Sequence, residues 1–353
     1  MYRIEMLPAE YGDCLWIEYG TGRKNHRILI DGGTPASFPA LETRIKSLPG
    51  PDRRFELLVV THIDSDHIGG VLKLLERRKE LRVTFGDIWF NGWRHLQGEN
   101  SDELGPVDGE RLSTSILQQR LRWNGAFRGR AIVVSPEKLP PKRTLPGGMK
   151  ITLLSPTTGC LARLAPVWER VVRAAGLSPG KSALRTRARP GGSYDFLGST
   201  LDVESLCASR FHGDRAKANG TSIAFVAEFE KKSCLFGADA FAPALSESLL
   251  KLRAGLRTRL DAMKVPHHGS RANLSDDLLE RVDCGRFLVS TNGERFEHPD
   301  PESIARIVRR FRGAKLHFNY RTQFSRVWEG DETRRKYGYC VYGPRRGSTV
   351  VHL

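Results

Sequence analysis

Apolar and polar positions alternate in short runs at the start of the chain. Residues 2–7, 13–19 and 26–30 are rich in aromatic and β-branched side chains with glycines between them, and they predict strands. Residues 39–48 have helical spacing. The run 55–61, Phe-Glu-Leu-Leu-Val-Val-Thr, is apolar almost throughout, as expected of a strand covered on both faces. Ile68, Val71, Leu72 and Leu75 then share one face of a helix predicted over 68–79. Helical pieces (109–123, 159–175), two strands (131–134, 149–154) and Gly/Pro/Arg-rich loops follow, and 181–192 reads as a flexible arm or solvated loop. Regular patterning returns with a hairpin, 221–229 and 232–236, a helix over 243–253, a strand over 261–265, a helix over 275–282 and a strand over 286–290. The next helix, 301–311, has Asp300 as its cap and Pro301 in its first position. Residues 337–342 and 348–353 read as a closing hairpin.

The composition is globular and turn-rich: 39% hydrophobic, 27% charged, 35 Gly and 19 Pro in 353 residues. No run of about 18 apolar residues exists, so no membrane span is expected. The first residues lack the apolar core of a secretory signal. Six cysteines lie far apart without a CxxC pair, which predicts reduced thiols and a cytoplasmic location.

Charge adds a candidate partner. The formal net charge is +16. Residues 120–143 hold seven basic residues and one acid, and residues 306–346 hold twelve and three. Clustered excess suits a polyanion, because each neutralised phosphate releases counterions. Nucleic acid is therefore the expected partner, against the plainer reading of a basic, soluble surface.

The sharpest chemistry lies at residues 61–70, Thr-His-Ile-Asp-Ser-Asp-His-Ile-Gly-Gly, directly after the apolar run. In an extended segment His62, Asp64 and Asp66 point to one side, and His67 opens the next helix. Four polar groups at the mouth of a buried strand are costly unless something binds them, and a metal pair would.

This segment resembles the His-x-His-x-Asp-His signature of the metallo-β-lactamase fold superfamily, with Asp64 in place of the second His. Other landmarks follow in family order: Gly12-Asp13-Cys14, Leu29-Ile30-Asp31-Gly32-Gly33, Gly237-Ala238-Asp239 and Val265-Pro266-His267-His268-Gly269-Ser270. Asp64, Asn219-Gly220-Thr221-Ser222, the Val-Pro-His-His-Gly-Ser motif and His298-Pro299 narrow the resemblance to the hydrolase domain of ComEC-type DNA-uptake proteins and their soluble relatives. The resemblance implies an α/β, four-layer αβ/βα sandwich: a single domain over 1–353 with a helical-rich insertion at 89–220. It implies two divalent metal ions, zinc or manganese. His62 and Asp64 would hold one, Asp66, His67 and His267 the other, and Asp239 would bridge them. His268 is the alternative to His267, and Asn219, His212 or water would complete the first site. Asp66, His67 and Asp239 would be the catalytic set.

Asp31 reads as an acceptor behind a ligand His, or as a turn former; Asp13 is similar. His298 reads as a substrate contact at the rim, or as a surface His beside a proline turn. Residues 89–95, Trp-Phe-Asn-Gly-Trp-Arg-His, are either a wall for stacked bases or core packing.

A metal-dependent phosphodiesterase or nuclease is the first expectation. The alternatives are a cytosolic lactonase or other acyl hydrolase, and a metal-binding regulatory subunit of a nucleic-acid or defence complex with a protein partner.

Overall fold

The computed structural model describes residues 1–22, 25–96, 107–175, 201–345 and 347–353. The arm expected at 181–192 lies outside them.

Two mixed sheets carry the molecule. In the first, the spatial order is Thr349–His352, Tyr2–Met6, Leu15–Tyr19, His26–Ile30, Leu57–Val59 and Ile88–Trp89. Its first four strands pair antiparallel, and the last two continue in parallel. The second sheet runs Cys340–Tyr342, Lys315–Phe318, Arg286–Val289, Ala262–Lys264, Lys232–Phe236, Ala224–Phe229, Lys150–Ser155 and Lys142–Thr144. Its pairings are parallel from Cys340–Tyr342 through Lys232–Phe236, and antiparallel beyond.

Strand alternation sorts each run into two cores. Leu57 and Val59 join Ile4, Ile17, Ile28, Ile151, Phe225 and Leu288 between the sheets. Leu58 and Val60 point the other way, onto helices Phe38–Lys46 and Ser65–Glu76. Behind the second sheet, Met263, Phe287 and Val289 pack on helices Ala242–Leu252 and Pro301–Arg310. The result is the four-layer αβ/βα arrangement that the sequence predicted.

The closing hairpin does not form. Cys340–Tyr342 pairs parallel with Lys315–Phe318, whereas Thr349–His352 crosses to the first sheet and pairs antiparallel with Tyr2–Met6. Each covers an otherwise open sheet edge. The strand expected at 131–134 reduces to one bridge, Val134 to Thr157. The side chain of Asn91 takes both backbone groups of Ile132, at 2.8 Å each, and so stands in for a neighbouring strand.

Trp89, Phe90 and Trp93 are fully buried. Of the two readings of residues 89–95, core packing holds, and these rings offer no face to a base. Most basic residues of the two segments are exposed, but a few are engaged within the fold or in surface ion pairs. Arg306 is buried and donates to the carbonyls of Leu274 and Ser209. Arg143 donates to the Ala126 carbonyl and lies over Phe127. Arg310 pairs with Glu280 and Arg321 with Glu329.

Candidate metal centre

Parallel strands of both sheets end in one cleft. Asp31 follows His26–Ile30, His62 follows Leu57–Val59, Asp239 follows Lys232–Phe236 and His267 follows Ala262–Lys264. The carboxyl ends of parallel strands, where chains leave the sheet, are the usual place for a site in an α/β fold.

Backbone contacts fix the pieces. Asp64 caps helix Ser65–Glu76 in an extended conformation, so Asp66 and His67 fall in its first turn. That turn is pressed against two loops. A β-carbon on Gly70 would lie 2.0 Å from the Gly32 carbonyl oxygen. The Gly32 amide donates to the His67 carbonyl at 2.9 Å, and the Gly33 amide to the Asp13 carbonyl at 2.7 Å. On the opposite wall, His267, His268 and Gly269 have φ of 45°, 54° and 90°. Two successive non-glycine residues in the left-handed region are strained. That turn lets adjacent imidazoles face one centre.

All four histidines are oriented alike. Thr61 donates its hydroxyl to Asp31, so His62 Nδ1 donates to Thr61 Oγ1 at 3.0 Å. His67 Nδ1 donates to Asp31 Oδ2 at 2.8 Å, His268 Nδ1 to the Ser290 carbonyl at 2.8 Å, and His267 Nδ1 to Asn273 Oδ1 at 2.8 Å. With Nδ1 engaged in each ring, every Nε2 is turned to the centre, the nitrogen a metal would take in exchange for its proton. Those of His62, His67 and His267 lie 3.7, 3.5 and 3.5 Å from Asp239 Oδ2, and that of His268 lies 3.7 Å from Oδ1. Asp66 Oδ2 is 3.7 Å from His67 Nε2 and 3.6 Å from His268 Nε2; Asp64 Oδ2 is 3.6 Å from His62 Nε2.

Asp239 Oδ1 and the Nε2 atoms of His62, His67 and His268 are buried with no hydrogen-bond partner. Orphaned polar atoms converging in one place call for an explanation, and a bound cation supplies one. His62, His67 and Asp239, and likewise Asp66, His67 and His268, are groups that could hold a metal ion. The donors are imidazole and carboxylate without thiolate, a set that suits zinc or manganese.

The electrostatics agree. Burial would push the Asp239 carboxyl up, yet His267, His67 and His268 hold it well below the usual carboxylate range. Burial would lower His268, but Asp239 and Asp13 raise it to about 9. His67 is raised for the same reason, chiefly by Asp239 and Asp66. A carboxylate field that strong is one a divalent cation would also sense.

The geometry differs from the expected ligand grouping at one point. His268, not His267, sits with Asp66 and His67. His267 approaches Asp239 Oδ2, the oxygen that His62 also faces. Asn219 stands behind this side. Its Nδ2 donates to Asp214 Oδ2 at 2.8 Å, and Asp214 Oδ2 in turn lies 3.6 Å from His267 Nδ1. His212 is exposed and belongs to none of these groups. Asp31 is saturated by Thr61 and His67, which makes it an orienting acceptor. Asp13 pairs with the fully buried Lys264 at 2.7 Å and lies 3.5 Å from His268. His298 reaches the rim, its ring 5.3 Å from that of His267. Sequence reasoning missed Lys264, Asn273 and Asp214. A lysine two residues before Pro266, inside an apolar strand, was a signal for the first; nothing local marked the other two.

A sequence model of the metallo-beta-lactamase superfamily matches residues 7–143, the part that contributes Asp13, Asp31 and the 62–67 motif. Over those residues the chain matches that superfamily, and the αβ/βα sandwich of two mixed sheets is typical of the metallo-β-lactamase fold. No curated protein matches it. Among solved structures, it is similar to the metallo-beta-lactamase fold protein YhfI from Bacillus subtilis, with 11% identity, 99% of both chains covered and a TM-score of 0.43. It is also similar to Zn(2+)-bound PqqB from Methylobacterium extorquens, with 11% identity, all of both chains covered and a TM-score of 0.41. A Cronobacter sakazakii metallo-beta-lactamase with an HARLDQ motif gives 12% identity over 74% of this chain and 76% of that one, with a TM-score of 0.31. No helix among the described residues is long and apolar enough to cross a membrane. The metallo-β-lactamase fold thus places six histidine and aspartate donors around Asp239, the group a metal-dependent hydrolase of this superfamily needs.

Proposed function

We propose that the chain is a dinuclear metal-dependent hydrolase acting on small acyl substrates of the lactone or ester class. The observation that supports it most is the convergence of four Nε2 atoms on the two oxygens of Asp239. Asp66, His67 and His268 would hold one cation, with Asp239 between the two groups. His62, Asp64 and His267 would hold the other. When bound, the two cations supply Lewis acidity and lower the pKa of water.

The chain's own groups have separate tasks. Asp31, Thr61, Asn273 and the Ser290 carbonyl hold the imidazoles in one orientation. Burial lowers His298, so it stays neutral near pH 7, at the rim where a leaving group departs. Six free cysteines are consistent with a cytoplasmic setting.

What favours acyl substrates over nucleic acid is the fate of the expected nucleic-acid surface. Trp89, Phe90 and Trp93 are core, and Arg306 and Arg143, one from each basic segment, serve internal contacts. Cleavage of a phosphodiester in nucleic acid is the second reading. The net charge of +16 favours it, as does the ComEC-type kinship suggested by the His-x-Asp-x-Asp-His and Val-Pro-His-His-Gly-Ser motifs. Elemental analysis joined to a substrate panel separates the two. Lactones and carboxylic esters should turn over with two metals bound. Cleavage of DNA, RNA or cyclic dinucleotides without acyl turnover would transfer the assignment to the second reading. Full metal occupancy with no hydrolysis at all would leave a regulatory metal-binding subunit.

A further inference from the structure

Beside the candidate metal centre lies a cavity of about 270 Å³ lined by Arg163, Arg215 and Lys217 together with Asp214, Gly220 and Phe241. Asp214 is 3.6 Å from His267 Nδ1, and Phe241 follows Asp239 by two residues.

The loop that bears Asp214 separates its charges. The carboxylate turns inward: Oδ1 accepts from the Ala216 amide at 2.8 Å, and Oδ2 accepts from Asn219 and Asn273 at 2.8 and 3.0 Å. Its acceptor capacity is taken up on the metal side. Arg215 and Lys217, two positions apart, stay exposed. Arg163 comes from the other wall, one turn after Cys160, and its guanidinium donates to Cys160 Sγ at 3.1 Å. Among the described residues, none of the three cations is drawn into an ion pair with a carboxylate. The wall also carries the opening turn of the 17-residue helix Thr158–Ala174, whose dipole is positive at that end. Even if Asp214 counts in full, three cations against one anion leave the cavity net positive. The Phe241 ring is held in place by close contact of its edge with Gly220, where a β-carbon would approach it to 2.7 Å.

We infer that this cavity is the subsite for a negatively charged substituent of the substrate, a carboxylate or phosphate group joined through a short apolar linker to the bond that is cleaved. Arg163, Arg215 and Lys217 bind the charge, and Phe241 lies under the linker. The inference rests on the acyl-hydrolase reading for the bond cleaved, but not for the anion bound.

The test compares the parent with Arg215→Ala/Lys217→Ala, and separately with Arg163→Ala. The readout is the ratio of kcat/KM for a carboxylate-bearing ester to kcat/KM for its uncharged methyl-capped analogue. The double variant should lower that ratio at least tenfold through KM, and Arg163→Ala should lower it severalfold. A ratio unaltered in both variants overturns the subsite. The second arm is calorimetric titration of the metal-depleted proteins with inorganic phosphate, which needs no turnover. Weaker binding by the double variant supports the subsite even if no ester is cleaved, in which case only the acyl reading fails. Equal phosphate affinity in parent and double variant counts against the subsite whatever the esters do.

Discussion

Gly12 touches the backbone of Asp66 so closely that a β-carbon on it would lie 1.8 Å from the Asp66 carbonyl oxygen. The Asp13 amide donates to that same carbonyl at 3.3 Å. The loop that carries Asp13 is therefore the mould against which the first turn of the helix bearing Asp66 and His67 is set. Gly12→Ala should force that turn away. We expect a loss of about 2 kcal/mol or more of stability and a fall in metal content, read by calorimetry and elemental analysis. Parent-like values for both would show that the contact is not a constraint.

The two adjacent histidines should be separable by metal stoichiometry. His268→Ala should deplete the cation grouped with Asp66 and His67, whereas His267→Ala and Asp64→Ala should deplete the one grouped with His62. Each variant should retain close to one equivalent, and Asp239→Ala should retain little of either. If His267→Ala and His268→Ala empty the same position, identified by spectroscopy of a cobalt-substituted sample, the division of ligands given above is wrong.

Asp64 brings a hard carboxylate oxygen where the commoner pattern has imidazole. Metal-stripped protein should recover activity with manganese at least as well as with zinc, and Asp64→His should turn that preference toward zinc. A titration of both metals against activity decides it. The same zinc preference in the parent and Asp64→His would remove Asp64 from the ligand set.

His317 should make the fold sensitive to mild acid. Burial, with Arg286 and Lys315 nearby, lowers its pKa from 6.5 to about 4. The unfolded chain then binds a proton that the folded chain refuses. This contribution is complete above pH 6.5 and is lost progressively as pH falls toward 4, by up to about 3 kcal/mol. The ring stacks on Tyr342 at 4.7 Å, so His317→Phe keeps the contact and removes the titration. Urea unfolding of chelator-treated protein between pH 7 and 4.5 should show a shallower decline in the variant than in the parent. Parallel curves would refute the assignment.

Lys264 and Asp13 form an ion pair shut away from water, 0% and 2% exposed. Removing one partner leaves a buried, uncompensated charge, which costs about 3–5 kcal/mol. Lys264→Met and Asp13→Asn should each destabilise by about that much, and the double variant by clearly less than their sum. Strict additivity in denaturant unfolding would mean that the pair is not coupled.

The site was far more legible than the edges of the fold. The candidate ligand segment 61–70 announces itself because charged residues follow an apolar strand with no local partner, and the Gly pairs mark where the helix meets its neighbours. His267 and His268 could not be ranked from order alone. Which of them joins Asp66 depends on the left-handed turn, and that turn follows from tertiary contacts to Ser290 and Asn273. The terminal strands were misread because alternation gives a strand's faces but not its neighbour. Lys315–Phe318 went unread as a strand: four residues with Lys and His among them carry too little pattern. The aromatic run at 89–95 is ambiguous in sequence because stacking walls and cores use the same residues, and burial resolves it.

The tight turn at His267, His268 and Gly269 has one further consequence. With its two imidazoles facing different oxygens of Asp239, the turn ties the two candidate positions together, so a cation held through one histidine would help to fix the other. Loading of the two positions should therefore be positively cooperative. The protein would pass from empty to fully charged over a narrow range of free metal, with little of the half-filled form in between.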